Sequence, residues 1–542
     1  MYAHSLTGRT LHKLAHLLDN CFRGSKLAAL TDRLSVKLYT IFAASRLAQS
    51  LWFRDVSLPA WRHSLLYRLF ALCQKLIKKC LFFFSRLMAD ALPQSISCRL
   101  YSFILSRPYL LFLLLGALGI LAFPILSPLK ALALPAAAAA ALLIIHKPTF
   151  GLYLLAFSLP LVPNEALLLL AILAFASFLF HRLRTGNLAL LPLAIEPALV
   201  LYLLVAVVAT LASATFTGSL RDLAICICSF LVFFVLINQL QTKKELHTYL
   251  NFALAGALLV ALYGIYQYIF GAPMQSGWVD AARSPQISVR VYSFFGNPNV
   301  MAEYLILIIP FGIALFFCTK NFFFKLLYLG TTGLLALSLL LTLSRGGLLG
   351  LLVALFVFAL LKDRRIIILL FIILLLAAAV MPDMFIQRFA SIGSPLDSSN
   401  AYRFTVWKET IQMIRDFPLT GVGLGYQAYQ AAYPYYMLDR TKRPYHSHNT
   451  YLQALAETGL IGFLAFAWLL AGTAKRGLQA FRQGNDTYLK HIIIASLSAL
   501  AGILTQGMGE VIIYLPKITM LFWLTAALVF LALKLDKKGA AC

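Results

Sequence analysis

Apolar runs near the length that crosses about 30 Å of hydrocarbon recur from about residue 109 to the end of the chain, separated by polar junctions. Read on hydropathy alone, they fall near 109–126, 129–146, 149–163, 164–181, 190–211, 221–240, 247–270, 298–318, 324–343, 346–361, 366–381, 451–473, 491–512 and 516–534. That count is an upper bound. The runs at 149–163 and 164–181 are short, with Pro160 and Pro163 between them, the pattern of a re-entrant pair. Nothing alternates with period two, so the expected class is an all-α polytopic membrane protein of about 12–14 helices, not a barrel.

Two stretches depart from this pattern. Residues 1–107 place apolar side chains at helical spacing (Leu11, Leu14, Leu17, Leu18; Leu65, Leu66, Leu69, Leu72, Leu76) among many basic ones. They read as a basic amphipathic extension on the anionic cytoplasmic leaflet, without the pattern of a short cleavable signal. Residues 108–270 form a first group of transmembrane helices. The second departure is the junction 382–447, too long for a turn and so expected to be functional.

Composition agrees with the pattern: 61% hydrophobic and 12% charged, where soluble domains carry about 25% charged residues. The net charge of +26 follows membrane sidedness and not a nucleic acid. With residues 1–107 cytoplasmic, alternate junctions put roughly 33 of the 46 lysines and arginines on the inner side, as the positive-inside rule expects. The eight cysteines lie in the extension, in spans or at Cys542, none in an outer junction, so no disulfide framework is implied. Cys226-x-Cys228 has no second pair to complete a metal site.

The outer junctions concentrate the polar chemistry. In 382–447, Ala401–Phe417 has helical spacing (Phe404, Trp407, Ile411, Ile414) and Pro418 ends it. Gly421-Val-Gly423-Leu-Gly425 lacks the preceding strand and spacing of a dinucleotide fingerprint and reads as a tight turn. Tyr426, Tyr429, Tyr433, Tyr435, Tyr436 and Tyr445 follow; amphipathic rings suit both the membrane interface and the faces of sugars. The junction closes on His446-Ser-His448-Asn449, just before an apolar helix that carries Gly459-x-x-Gly462. An imidazole titrates near neutrality, which makes His448 a candidate general base and His446 its competitor; a hydrogen-bonded helix start is the structural alternative. Asn449, Gln453 and Glu457 share one helical face, either orienting the imidazole or forming a packed polar stripe.

Two arginines lie on the same side. Arg290 precedes Phe294-Phe-Gly296-Asn297-Pro298-Asn299, and Arg345 stands in Ser344-Arg345-Gly346-Gly347, where it interrupts an otherwise uncharged run from Leu326 to Leu361. A cation so near hydrocarbon costs on the order of 3 kcal/mol. It is either a snorkelling cap or an anion clamp, since guanidinium matches phosphate oxygens with a fork of donors. No Asp-x-Asp pair exists to bridge a divalent metal.

These residues resemble the O-antigen ligase / O-antigen polymerase superfamily. The resemblance rests on His448-Asn449 followed by Gly459-x-x-Gly462, on Arg290 with its Phe-Phe-Gly-Asn-Pro-Asn string, and on Ser344-Arg345-Gly346. Arg403-x-x-x-Trp407 and Pro418-Leu-Thr-Gly-Val-Gly-Leu-Gly425 add to it. It covers roughly 280–470 and marks 271–535 as the catalytic membrane region. It implies a GT-C-type glycosyltransferase without cofactor or metal, acting at the outer face of the cytoplasmic membrane. The implied donor is an undecaprenyl-diphosphate-linked glycan, and the acceptor a lipid, glycan or protein hydroxyl. His448 would then be the catalytic base and Arg290, Arg345 and Arg403 the diphosphate ligands. Asn449, Tyr436, Tyr445 and His446 would support them or contact the glycan. A polymerase of the same superfamily would share the donor residues. A lipid or polysaccharide transporter is the reading from another class, but no internal repeat is visible and mid-span charges are few, Glu196 the clearest.

Overall fold

A computed structural model describes residues 128–185, 196–274, 289–380, 398–438 and 443–541, with Lys79, Phe82 and Phe83. The remainder of the basic extension, the run at 109–126 and the first part of the junction 382–447, up to residue 397, lie outside the described residues. Among the described residues every regular element is helical: α1 (Pro128–His146), α2 (Pro148–Ser158), α3 (Asn164–Thr185), α4 (Glu196–Leu211), α5 (Phe216–Gln239), α6 (Lys243–Phe270), α7 (Pro298–Cys318), α8 (Phe322–Leu341), α9 (Arg345–Lys362), α10 (Arg365–Val380), α11 (Ser398–Asp416), α12 (Tyr426–Ala432), α13 (Thr450–Gln483), α14 (Thr487–Gln506) and α15 (Pro516–Ala541). Nine of them are long and apolar enough to cross a membrane. The chain divides into two compact units; the described part of the smaller is Ala359–Ala379, and the larger holds the site below.

Several helix starts follow from local chemistry. Thr242 caps α6 in a capping box with Glu245, and Asn321 and Asp486 accept from the first free amides of α8 and α14, satisfying donors that a helix start leaves open. The expected re-entrant pair does not form. Pro160 and Pro163 both fall in the turn between α2 and α3, where the Pro163 carbonyl accepts from Leu167 at 3.0 Å. The prolines therefore end α2 after 11 residues and release α3 to run for 22, a full span. Glu196 stands at the start of α4; an acid buried within a span among the described residues is Glu303, 2% exposed in α7.

The core gathers around α7 and α15, which are apolar nearly all round, as buried helices are. α15 packs against α5 and α14, and α7 against α8 and α14. By contrast, α8 turns Phe322, Phe323, Leu326 and Leu329 outward, an apolar surface suited to lipid and not to water. Contacts sort the helix ends into two sets. Lys243 meets Asp486 at 2.6 Å, and Lys534 donates to the carbonyls closing α5, Ile237 at 2.7 Å and Leu240 at 2.8 Å. The opposite ends meet through Arg290, Asn449 and Lys517, and there the polar landmarks converge.

Candidate active site

The start of α13 is stapled to the junction 507–515 between α14 and α15. The Thr450 amide donates to Gly507 O (2.8 Å), its hydroxyl donates to Glu510 O (2.8 Å) and accepts from Ile512 N (3.1 Å), and Asn449 Nδ2 donates to Met508 O (3.0 Å). Asn449 is thus an N-cap, its Oδ1 accepting from Tyr451 N and Leu452 N, not a direct partner of an imidazole. Gln453 and Glu457 buttress the loop: Glu457 accepts from Gln453 Nε2 at 2.7 Å, and Gln453 Oε1 accepts from Ser447 N at 2.8 Å. Both alternatives for this polar stripe hold in part, since it packs and, through Ser447, fixes the histidine loop.

The staple carries Glu510 to the histidines. One carboxylate oxygen lies 3.1 Å from His448 Nδ1 and 3.6 Å from His446 Nε2. The other accepts from Asn299 Nδ2 at 3.0 Å and faces Arg403 Nη2 at 3.4 Å. Asn299 Oδ1 in turn accepts from Arg290 Nη2 at 3.3 Å, and Arg290 Nε donates to Thr342 O at 2.9 Å. A buried carboxylate therefore joins His448, Arg403 and, through Asn299, Arg290. Arg345 opens α9 three residues beyond Thr342 and is 8% exposed.

Burial alone would raise the Glu510 carboxyl, but His448, His446 and Arg403 together hold it well below the ordinary range. It is a carboxylate at neutral pH, so His448 Nδ1 must carry the proton of their hydrogen bond, leaving Nε2 as the basic nitrogen. Burial pushes His446 down to about 4, against the pull of Glu510 and with the repulsion of His448 and Arg403. Being neutral, it accepts the His448 amide at Nδ1 (3.2 Å).

Backbone strain marks the same places. The described non-glycine residues with positive φ are Ser293, Leu343 and His448, at 48°, 52° and 52°. Each lies in or directly beside a string singled out in the sequence, and each costs on the order of 1–3 kcal/mol. The Gln267 side chain holds Ser293 in place, accepting its amide at 2.8 Å.

The tyrosines separate into roles. Tyr429 and Tyr433 are 0% and 2% exposed, packed with Val406, Met413 and Ala456 under α11, and Tyr433 donates to Glu409. Tyr436 donates to Asp416 at 2.8 Å, outside the Glu510 network. Tyr445 is exposed and stacks on Tyr426 with centroids 5.3 Å apart. Glu510 escaped the sequence reading, although a signal existed: it is the sole acid between Asp486 and Asp536, and it sits at a junction.

His446, His448 and Glu510 also offer three ligand atoms within 4.8 Å of one another, the described set that fits a metal ion. Glu510 nevertheless already has Arg403 on its second oxygen, a cation that takes up part of the charge such a ligand would give a metal. The fold and this cluster define a polytopic helical membrane protein with a histidine–carboxylate–arginine centre where one set of helix ends meets. The family model described as O-antigen ligase matches residues 330–467. This match supports membership of the O-antigen ligase superfamily over that part of the chain; it spans Arg345, Arg403, both histidines and Gly459-x-x-Gly462, and stops short of Arg290 and Glu510. No curated protein matches the chain.

Proposed function

We propose that this protein is an inverting membrane glycosyltransferase. It moves a glycan from an undecaprenyl-diphosphate donor to an acceptor hydroxyl at the outer face of the cytoplasmic membrane. The observation that carries the reading is Glu510, which fixes the tautomer of His448 and ties it to Arg403 and Arg290. His448 Nε2 removes the acceptor proton as the hydroxyl oxygen attacks the anomeric carbon. The bond from that carbon to the diphosphate oxygen breaks, and its electron pair leaves with undecaprenyl diphosphate. Arg290, Arg345 and Arg403 offset the charge that develops on the leaving group, and Glu510 stabilises the imidazolium. His446 and Asn449 hold the loop, and the exposed, stacked Tyr445 is a better glycan contact than Tyr436. Base catalysis of this kind supplies about 10²–10⁴-fold. With arginines in the role of a bridging cation, the reaction needs no metal.

The test is release of undecaprenyl diphosphate from a synthetic lipid-linked glycan by purified protein in EDTA, over a panel of acceptors. Wild type should turn over, and His448→Ala and Arg345→Ala should each fall by about 10²-fold or more. The productive acceptor separates ligase from polymerase. The three-ligand cluster favours one other reading: EDTA would then silence wild type and a divalent ion restore it. Donor left intact while lipid-linked glycan crosses the bilayer would give way to transport.

A further inference from the structure

Beside the Glu510 centre lies a chamber that the donor chemistry does not use. It measures about 60 Å³, and its walls include Asp222, Glu457, Thr519, Tyr202, Tyr514 and His446. At about 10–15 Å³ of such space per water, it holds roughly four to six waters, the volume of one monosaccharide-sized group. Asp222 and Thr519, both in the wall, each carry a buried side-chain oxygen without a hydrogen-bond partner, Oδ2 and Oγ1, and Thr519 is 6% exposed. Native proteins leave few such atoms, and each needs an explanation. The geometry of Asp222 is built in: any Cβ at Gly425, where φ is +92°, would collide with its carboxylate. Glu457 opposite accepts from Gln453, so a ligand on Glu457 touches the same chain that holds the histidine loop. No lysine or arginine lines the chamber among the described residues. His446 lines it while its ring lies 4.4 Å from that of His448.

Charge is therefore sorted across the histidine pair, with arginines about Glu510 on one side and two carboxylates and a hydroxyl in the chamber wall on the other, where Arg221 stands beside Asp222 without lining the chamber. The first suits a diphosphate. The second suits a group rich in hydrogen-bond donors and repels phosphate. We propose that this chamber is the acceptor subsite, taking a sugar that presents hydroxyl or amino groups and carries no phosphate there. The assignment as acceptor rests on the transferase reading above; the binding chemistry does not. The Asp222 carboxylate and the Thr519 hydroxyl accept from the sugar's donors, and Tyr202 and Tyr514 offer ring faces and edges to its body.

The experiment uses full-length protein in lipid nanodiscs, with glucose, glucosamine and glucose 6-phosphate as probes followed by ligand-observed NMR, and no donor present. Glucose and glucosamine should bind and glucose 6-phosphate should not. Asp222→Asn and Thr519→Val should each weaken binding by about tenfold, and Thr519→Ser should restore it. Preference for glucosamine that vanishes in Asp222→Asn identifies the ammonium as the recognised group; equal binding identifies the hydroxyls. In the transfer assay the same variants should raise KM for acceptor and leave KM for donor unchanged. Binding of glucose 6-phosphate as tight as glucose, or unchanged binding by folded variants, overturns the proposal. If wild type binds sugars as expected but consumes no donor, the transferase reading fails and the chamber's chemistry stands; if transfer proceeds and the sugars do not bind, the reverse holds.

Discussion

His448 shares its Nδ1 proton with Glu510 across 3.1 Å, so replacing Glu510 by Gln removes both the acceptor that selects the tautomer and the charge that balances an imidazolium. Turnover should fall by about 10²–10⁴-fold, mostly in kcat, measured as undecaprenyl diphosphate release. Glu510→Asp should keep part of the rate. His446 makes a separate prediction. Its folded pKa near 4 lies below the ordinary imidazole value of about 6.5, so between those values the unfolded chain binds the extra proton. Stability from this group is complete above about pH 6.5 and is lost as pH falls towards 4. Glu510, depressed by its partners, adds stability above about pH 4.3 that is lost further into acid. The melting temperature in detergent should drop between pH 6.5 and 4 in wild type, and less steeply in His446→Gln. Equal slopes would mean that His446 is not held neutral.

At the scale of elements, the kink in α13 connects the site to the loop that follows α11. Gly459 has φ +64° and ψ −171° inside an otherwise continuous helix, a conformation costly for any residue with a Cβ. A Cβ there would also strike the Leu419 carbonyl. The opened helix receives the loop after Pro418: Leu460 N donates to Pro418 O at 2.8 Å, and Val422 N to Ala456 O at 2.8 Å. Gly459→Ala should therefore destabilise by roughly 1–3 kcal/mol and lower activity with it, read as thermal unfolding. Gly330→Ala, in α8 with open space around it, should be neutral or slightly stabilising. Equal melting temperatures for the two variants would remove the kink from the argument. The spacing of Gly459-x-x-Gly462 was plain in the sequence, but the partner that makes Gly459 necessary is a loop 40 residues upstream.

For the whole molecule, two sets of helix ends follow from contacts, and Lys243, Lys534 and Lys538 lie in the set away from the histidines. If that set is cytoplasmic, a cysteine at Tyr445 in a background lacking the native cysteines should react with a membrane-impermeant maleimide in intact cells. A cysteine at Lys244 should react only after lysis. The opposite pattern would invert the orientation and put the site inside.

Hydrophobic periodicity determined the helical class and most spans, because each depends on residues within a few turns of one another. It also placed the histidines and arginines at junctions, since charge is driven out of hydrocarbon wherever the chain folds. What the pattern left open was decided in three dimensions. Pro160 and Pro163 could be read as interrupting two spans or as sharing one turn, and only packing chose the turn. The tyrosines looked alike until burial separated Tyr429 and Tyr433 from Tyr445. Glu510 stands 62 residues from His448, and nothing local links them. The hydrogen bonds of Thr450 and Asn449 to the junction after α14 bring them together, and such partners are set by helix packing, which no window of sequence contains.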